Sequence, residues 1–281
     1  MVQILSKPSS GSIWLFICGH DERFMFDVRH FAEQLKSAQD NKDDNFYFFA
    51  PNPEALKNLL HDRAIDNRKV FDCIEFKNKI ESLKNIPFLG CIISSHGNCG
   101  GIEVLGDMKP AKFLNLIHSV PGLTDGLLLL GQCYSGIFNM PKQSKVCVIG
   151  ASNFCPSLSF PVQSGWSKNI FLYFFANWIK SPSDIDGDDQ NTILDAYKYT
   201  SSMTNDELNK IRSGLLKTFN VLFRERDSIS SELIKPENIT NIELQARYGA
   251  ITKNLDELIN LYHITQESWI SDINTAMRLI L

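Results

Sequence analysis

No hydrophobic run in this chain is long enough to cross a bilayer: the first apolar stretch, Ile13 to Cys18, has the length of a strand, against the ~20 residues a spanning helix needs. The first eleven residues hold no basic region followed by an apolar core, so no cleavable export signal is expected. Basic blocks are missing as well. With 28 Lys and Arg against 32 Asp and Glu, net charge −4, nothing points to nucleic acid or to a membrane, and the expected partner is a peptide or protein substrate. The seven cysteines do not make an even set, and Cys18, Cys91 and Cys147 sit inside apolar stretches. That suits free thiols in a reducing compartment better than a disulfide framework. The expected location is cytoplasmic, or outside the cell by a route without an N-terminal signal peptide. Internal repeats and low-complexity segments are also absent.

What is present is core. A 281-residue chain with 43% hydrophobic and 11% aromatic residues can fill one large domain and a smaller appendage. Continuous apolar runs at Ser12–Cys18, Asn45–Ala50, Phe88–Ser95, Leu127–Gly131 and Val146–Gly150 read as strands buried on both faces. Helical patterns alternate with them at Phe26–Ser37, Pro53–Asp62, Val70–Asn85, Pro110–Val120 and Trp166–Ile179. Alternation of this kind predicts an α/β fold in three layers with a mostly parallel central sheet. After the polar linker Ser181–Asn191 the pattern turns helical: Thr204 with Glu207 and Thr240 with Glu243 read as capping boxes, and a further helix is expected over Glu267–Ile280. The predicted division is an α/β domain over residues 1–200 and a helical C-terminal bundle over 201–281.

Two strands end in chemistry. Phe88–Ser95 runs into His96-Gly97, and Leu127–Gly131 runs into Gln132-Cys133-Tyr134-Ser135-Gly136. Ligands bind where parallel strands stop, and a thiol with an ordinary pKa of about 8.5 needs a polar, partly open setting with an imidazole near it to act as a nucleophile. His96 and Cys133 are therefore the catalytic candidates, and the N–H groups of Gly97 and Cys133 are candidate oxyanion donors.

Ser-His-Gly after one apolar strand, followed 37 positions later by Cys-Tyr-Ser-Gly after another, resembles the caspase-hemoglobinase group of cysteine peptidases, most closely its legumain branch. Cys133-Tyr134-Ser135-Gly136-Ile137-Phe138 and the turn Ala151-Ser152-Asn153 carry the likeness, which covers Ser12 to about Tyr199. It implies a caspase-like fold and a cysteine endopeptidase that works through a Cys/His dyad and a thioester, with no cofactor and no obligatory third acid. Arg23, four residues ahead of Asp27-Val28, matches an arginine that helps form the pocket for the residue before the scissile bond, which implies Asp or Asn there. Gln132, Ser152 and Asn153 are further substrate-binding candidates. Gly131 and Tyr134 depart from the family, which places acidic residues at both positions. The alternatives are a transpeptidase of the same chemistry, or an interaction module on a catalytically silent caspase-like fold.

Asp184, Asp186, Asp188 and Asp195 occupy positions one, three, five and twelve of a twelve-residue stretch, the ligand spacing of an EF-hand calcium loop. Asp189 stands where the turn glycine belongs and Asn191 where an apolar residue belongs. The stretch therefore reads better as an acidic linker capping the helix that starts near Thr192.

Overall fold

The computed structural model describes residues 2–3, 11–39, 42–141, 144–161 and 167–280. Seven strands form the central sheet: β1 (Ile13–Cys18), β2 (Phe46–Ala50), β3 (Val70–Asp72), β4 (Phe88–Ser94), β5 (Asp125–Leu130), β6 (Val146–Gly150) and β7 (Trp269–Ile270). Their spatial order is β7-β6-β5-β4-β1-β2-β3. All pairings are parallel except that of β7 with β6.

Alternation along each strand divides the core into two. Trp14, Phe16, Cys18, Leu127 and Leu129 face one side, where they pack against α1 (Glu22–Ala38), α2 (Pro53–His61) and α5 (Ile170–Lys180). Ile13, Leu15, Ile17, Leu128 and Leu130 face the other, against α3 (Phe76–Ser82) and α4 (Pro110–His118). The sheet is thus the middle of three layers, as its apolar runs predicted. Each fully buried Leu or Phe contributes roughly 1.5–3 kcal/mol relative to exposure.

Helix α6 (Ile193–Leu233) runs unbroken through Thr204, which is 2% exposed, with no partner for its hydroxyl among the described residues. The capping box predicted at Thr204 is therefore a helix interior. The real N-terminus is capped by Thr192 and Asp195, each accepting the other's backbone N–H. Similarly, α7 (Ile242–His263) is capped by Asn241 rather than Thr240.

The chain divides into two compact units, one of Met1–Thr204 with Gln266–Leu281, the other of Asn205–Thr265. In the second, apolar side chains of α6 and α7 meet around Phe219, Ile229, Ile251 and Leu255. The boundary differs from the prediction at its far end. No helix spans 267–280: β7 lies there, followed by the short α8 (Ile273–Arg278), and both belong to the first unit. Ser271 extends the return by exchanging hydrogen bonds with Val148 of β6. Two other assignments shift. The helix predicted over Val70–Asn85 begins as the edge strand β3, with Asp72 capping a single turn of 3₁₀ helix before α3. The predicted helix start at Trp166 lies outside the described residues, and α5 begins at Ile170, capped by Asn169. No helix of the described residues is long and apolar enough to cross a membrane.

Candidate active site

The strand order sets the location. From β1 the chain builds outward through β2 and β3, then returns to place β4 on the other side of β1 and continues to β5 and β6. β1 and β4 therefore diverge at their carboxyl ends into the crevice where open α/β sheets bind ligands. Asp21 follows β1 there, and His96 follows β4. β4 and β5 pair in register, with Ile93 opposite Leu130. His96 and Cys133 each stand three positions past that pair, so the register brings the two loops side by side.

Contact between the loops is close. A β-carbon added to Gly97 would stand 2.6 Å from the carbonyl oxygen of Cys133 and 3.0 Å from side-chain carbons of Gln132. Only glycine lets the chain after the imidazole approach Cys133 this closely. Gly97 pairs with Ile102 across a short hairpin. The N–H and carbonyl of Ile102 are both bonded to Met108, which makes Gly97 and Ile102 a non-hydrogen-bonded pair and turns the Gly97 N–H outward. Among the described residues, the N–H of Cys133 has no acceptor. Two backbone donors on adjoining loops are what a forming oxyanion requires.

The imidazole is held on two sides. Its Nε2 lies 3.1 Å from Oδ2 of Asp21, and the buried Phe24 ring meets it edge-on with centroids 5.0 Å apart. An ionised carboxylate only accepts hydrogen bonds, so Asp21 selects the tautomer with the proton on Nε2 and leaves Nδ1 to exchange protons. Asp21 is the N-cap residue of α1 but makes no side-chain cap bond.

Arg23 lies in the same cluster. Its Nη1 donates to Ser159 Oγ at 2.9 Å, its Nε stands 3.4 Å from Asp21 Oδ2, and its guanidinium lies 4.4 Å over the Phe24 ring. About a third of its side chain remains open to solvent.

Cys133 is half-buried, and its sulfur accepts from the N–H of Ser157 at 3.3 Å. The next residue, Tyr134, has the left-handed φ of 57°, a conformation that costs a bulky side chain on the order of 1–3 kcal/mol. The turn is locked behind the sulfur. Ser135 Oγ bonds both the N–H and the carbonyl of Ser152, and the N–H of Gly136 donates to the carbonyl of Asn153.

These contacts revise three of the substrate-binding candidates. Ser152 and Gln132 are 0% and 1% exposed and offer no surface to a peptide. Ser152 braces the turn after Cys133, and the Gln132 amide has no partner among the described residues. Asn153 is half-buried and serves the turn through its backbone. The departure at Gly131 has a steric cause: a β-carbon there would stand 2.4 Å from Leu172 of α5, so no acidic side chain fits.

Four of the other cysteines are buried in the core. Burial pushes the thiols of Cys18, Cys91 and Cys147 well up and that of Cys73 to about 12, which keeps them protonated and unreactive. Asp184, Asp186 and Asp188 bring carboxylate oxygens within 4.8 Å of one another, but Asp195 is not of that group. Its carboxylate takes the N–H groups of Ile185, Asp186 and Thr192 and the Thr192 hydroxyl. Burial alone would raise its pKa; these bonds outweigh that and hold it below the ordinary value. Asp195, at position twelve of the EF-hand spacing, is thus the brace of the helix end near Thr192, and one of the three remaining carboxylates, Asp186, is bonded to Lys198.

No protein-family model matches the chain, and no curated protein matches it in sequence.

Proposed function

We propose that this protein is a cysteine endopeptidase with Cys133 as nucleophile and His96 as general acid and base. The observation that carries the reading is the pairing of β4 with β5, which sets His96 and Cys133 at the same distance past one register pair, with Gly97 pressed against the Cys133 carbonyl. The Cys133 thiolate attacks the scissile carbonyl carbon, and the oxyanion that forms takes hydrogen bonds from the N–H groups of Gly97 and Cys133. His96 gives the proton it took from the thiol to the leaving amine as the C–N bond breaks, leaving a thioester. Water then loses a proton to His96 and attacks the thioester; the C–S bond breaks, a carboxylate leaves, and the thiol regains its proton. Asp21 holds the imidazole in the tautomer this sequence needs. No step requires a metal or a cofactor.

The same thioester could be taken by an amine instead of water, which would make the product a new peptide bond; nothing in the residues around Cys133 favours that course. Arg23 stands at the mouth of the crevice with hydrogen-bonding capacity to spare. It suits an Asp or Asn side chain before the scissile bond.

A peptide library varied at the position before the scissile bond, offered to the wild type and to Cys133→Ala, tests the reading. The expected result is cleavage after Asp or Asn that disappears in the variant. Cleavage that survives the substitution, or no cleavage by folded wild-type protein, overturns it. A thiol-directed peptide inhibitor should also modify Cys133 ahead of Cys99, the exposed cysteine.

A further inference from the structure

Asn169 has an unusual set of partners for a residue that ends a short strand and begins a helix. Its Oδ1 caps α5 by accepting from the N–H of Leu172 at 2.9 Å, and its own N–H donates to Asp27 Oδ1 at 3.1 Å. The two hydrogens of its Nδ2 go to the carbonyl of Gly131 at 2.7 Å and to Ser157 Oγ at 2.8 Å. Every polar group of the side chain is used, and the residue is 5% exposed. A primary amide offers two donors and an acceptor, so no aliphatic or carboxylate side chain makes the same three connections.

The two Nδ2 contacts fall on either side of the nucleophile. Gly131 lies two residues before Cys133 on the chain. Ser157 comes from the loop after β6, and its backbone N–H donates to the Cys133 sulfur while its carbonyl lies 3.8 Å from the same atom. One buried amide therefore fixes both the strand end that carries the thiol and the segment that holds a donor against it. Asp27 of α1 accepts the backbone N–H of the same residue, and its other oxygen accepts from the Ser94 hydroxyl of β4 at 2.6 Å, two residues before His96.

We propose that Asn169 is the positioning residue of the nucleophile, setting the Ser157 N–H against the Cys133 sulfur and so holding the sulfur in place before substrate arrives. This rests on the peptidase reading for its catalytic meaning, but not for its effect on the thiol. An N–H aimed at sulfur holds it in one place, and a reacting atom misplaced by about 1 Å can cost on the order of a hundredfold in rate.

The test is the rate of alkylation of Cys133 by iodoacetamide as a function of pH, resolved by peptide mass spectrometry with Cys99 as internal reference, alongside kcat and KM on the cleaved peptide. Asn169→Ala removes both grips. Ser157→Ala removes only the hydroxyl that Asn169 holds, keeps the backbone N–H, and spares the α5 cap. In both, Cys133 should lose about tenfold in alkylation rate relative to Cys99 across the profile, and kcat should fall by about tenfold with KM little changed. If Asn169→Ala does not fold, Ser157→Ala decides alone. Cys133 profiles that superimpose on wild type overturn the proposal, even where wild type cleaves peptide. A lowered profile in a protein that cleaves nothing upholds the positioning role and removes the peptidase reading instead.

Discussion

The carboxylate of Asp21 turns away from the helix it begins and meets the Nε2 of His96 at 3.1 Å. An aspartate at the N-cap of a helix ordinarily accepts a backbone N–H of the first turn, and its loss costs about 1 kcal/mol. Asp21 makes no such bond, so Asp21→Ala should leave the thermal midpoint within about 2 °C of wild type. It should lower kcat on the order of tenfold or more, because the imidazole loses the partner that selects its tautomer. Differential scanning calorimetry beside steady-state kinetics checks both halves. A large stability loss with unchanged kcat would show a capping role and no catalytic one.

Gly97→Ala inserts a methyl group where the Cys133 carbonyl lies 2.6 Å away. The loop must move, and the Gly97 N–H moves with it. An oxyanion donor displaced in this way is worth on the order of 10²–10³ in kcat, with little change in KM. A variant that loses affinity but keeps turnover would place Gly97 on the substrate side of the site and not at the oxyanion.

Burial pushes the Asp27 carboxyl up to about 6, against the pull of the Ser94 and Asn169 hydrogen bonds and the charges of Arg23 and Lys168. Between about pH 4 and 6, the folded chain holds a proton there that the unfolded chain has released. The stability this contributes is fully present below about pH 4 and is lost as pH rises through 6, a change on the order of 3 kcal/mol. Asp27→Asn keeps an acceptor for the Asn169 N–H without the charge. Urea unfolding at several pH values should show the wild type losing stability relative to Asp27→Asn across that window. Parallel curves would mean that Asp27 stays ionised in the fold.

Removing the Asp195 carboxylate leaves the N–H groups of Ile185, Asp186 and Thr192 without their acceptor. Asp195→Ala should cost about 2–3 kcal/mol, and the loss should be the same in calcium and in chelator. A wild type stabilised by calcium, with Asp195→Ala indifferent to it, would restore Asp195 as a ligand.

The layers of the fold were legible because strands buried on both faces write themselves as unbroken apolar runs: β1, β4, β5 and β6 all fall where such runs do. The edges were not. β3 is only three residues long and leads directly into helical turns, so its sequence carries no period of its own. β7 and α8 together fill a stretch whose spacing also fits one helix. At the site, His96 and Cys133 stood out because each ends an apolar strand. Asp21 falls in the loop ahead of the helix expected from Phe26, Asn169 inside the helix expected over Trp166–Ile179, and Ser157 in loop; their partners lie 75, 38 and 24 residues away, a separation that no local pattern encodes. Ser152 and Gln132 failed in the opposite sense, standing next to the nucleophile in sequence while turned inward by the fold.

Gln266 gives the order of assembly a meaning. Its amide donates to the carbonyl of Ala151, and its oxygen accepts from the N–H of Leu158, so it clasps the segment that carries Ser157, while β7 covers the open edge of β6. These residues are translated after the whole 61-residue helical insert. A nascent chain can close β1 to β6 early, since domains begin folding from their N-terminal side during synthesis, yet the clasp on the nucleophile's neighbour waits until Gln266 has left the ribosome. The Cys133 thiol is thus made well before its surroundings are complete, an interval in which the growing chain carries thiol and imidazole without the contacts that set them.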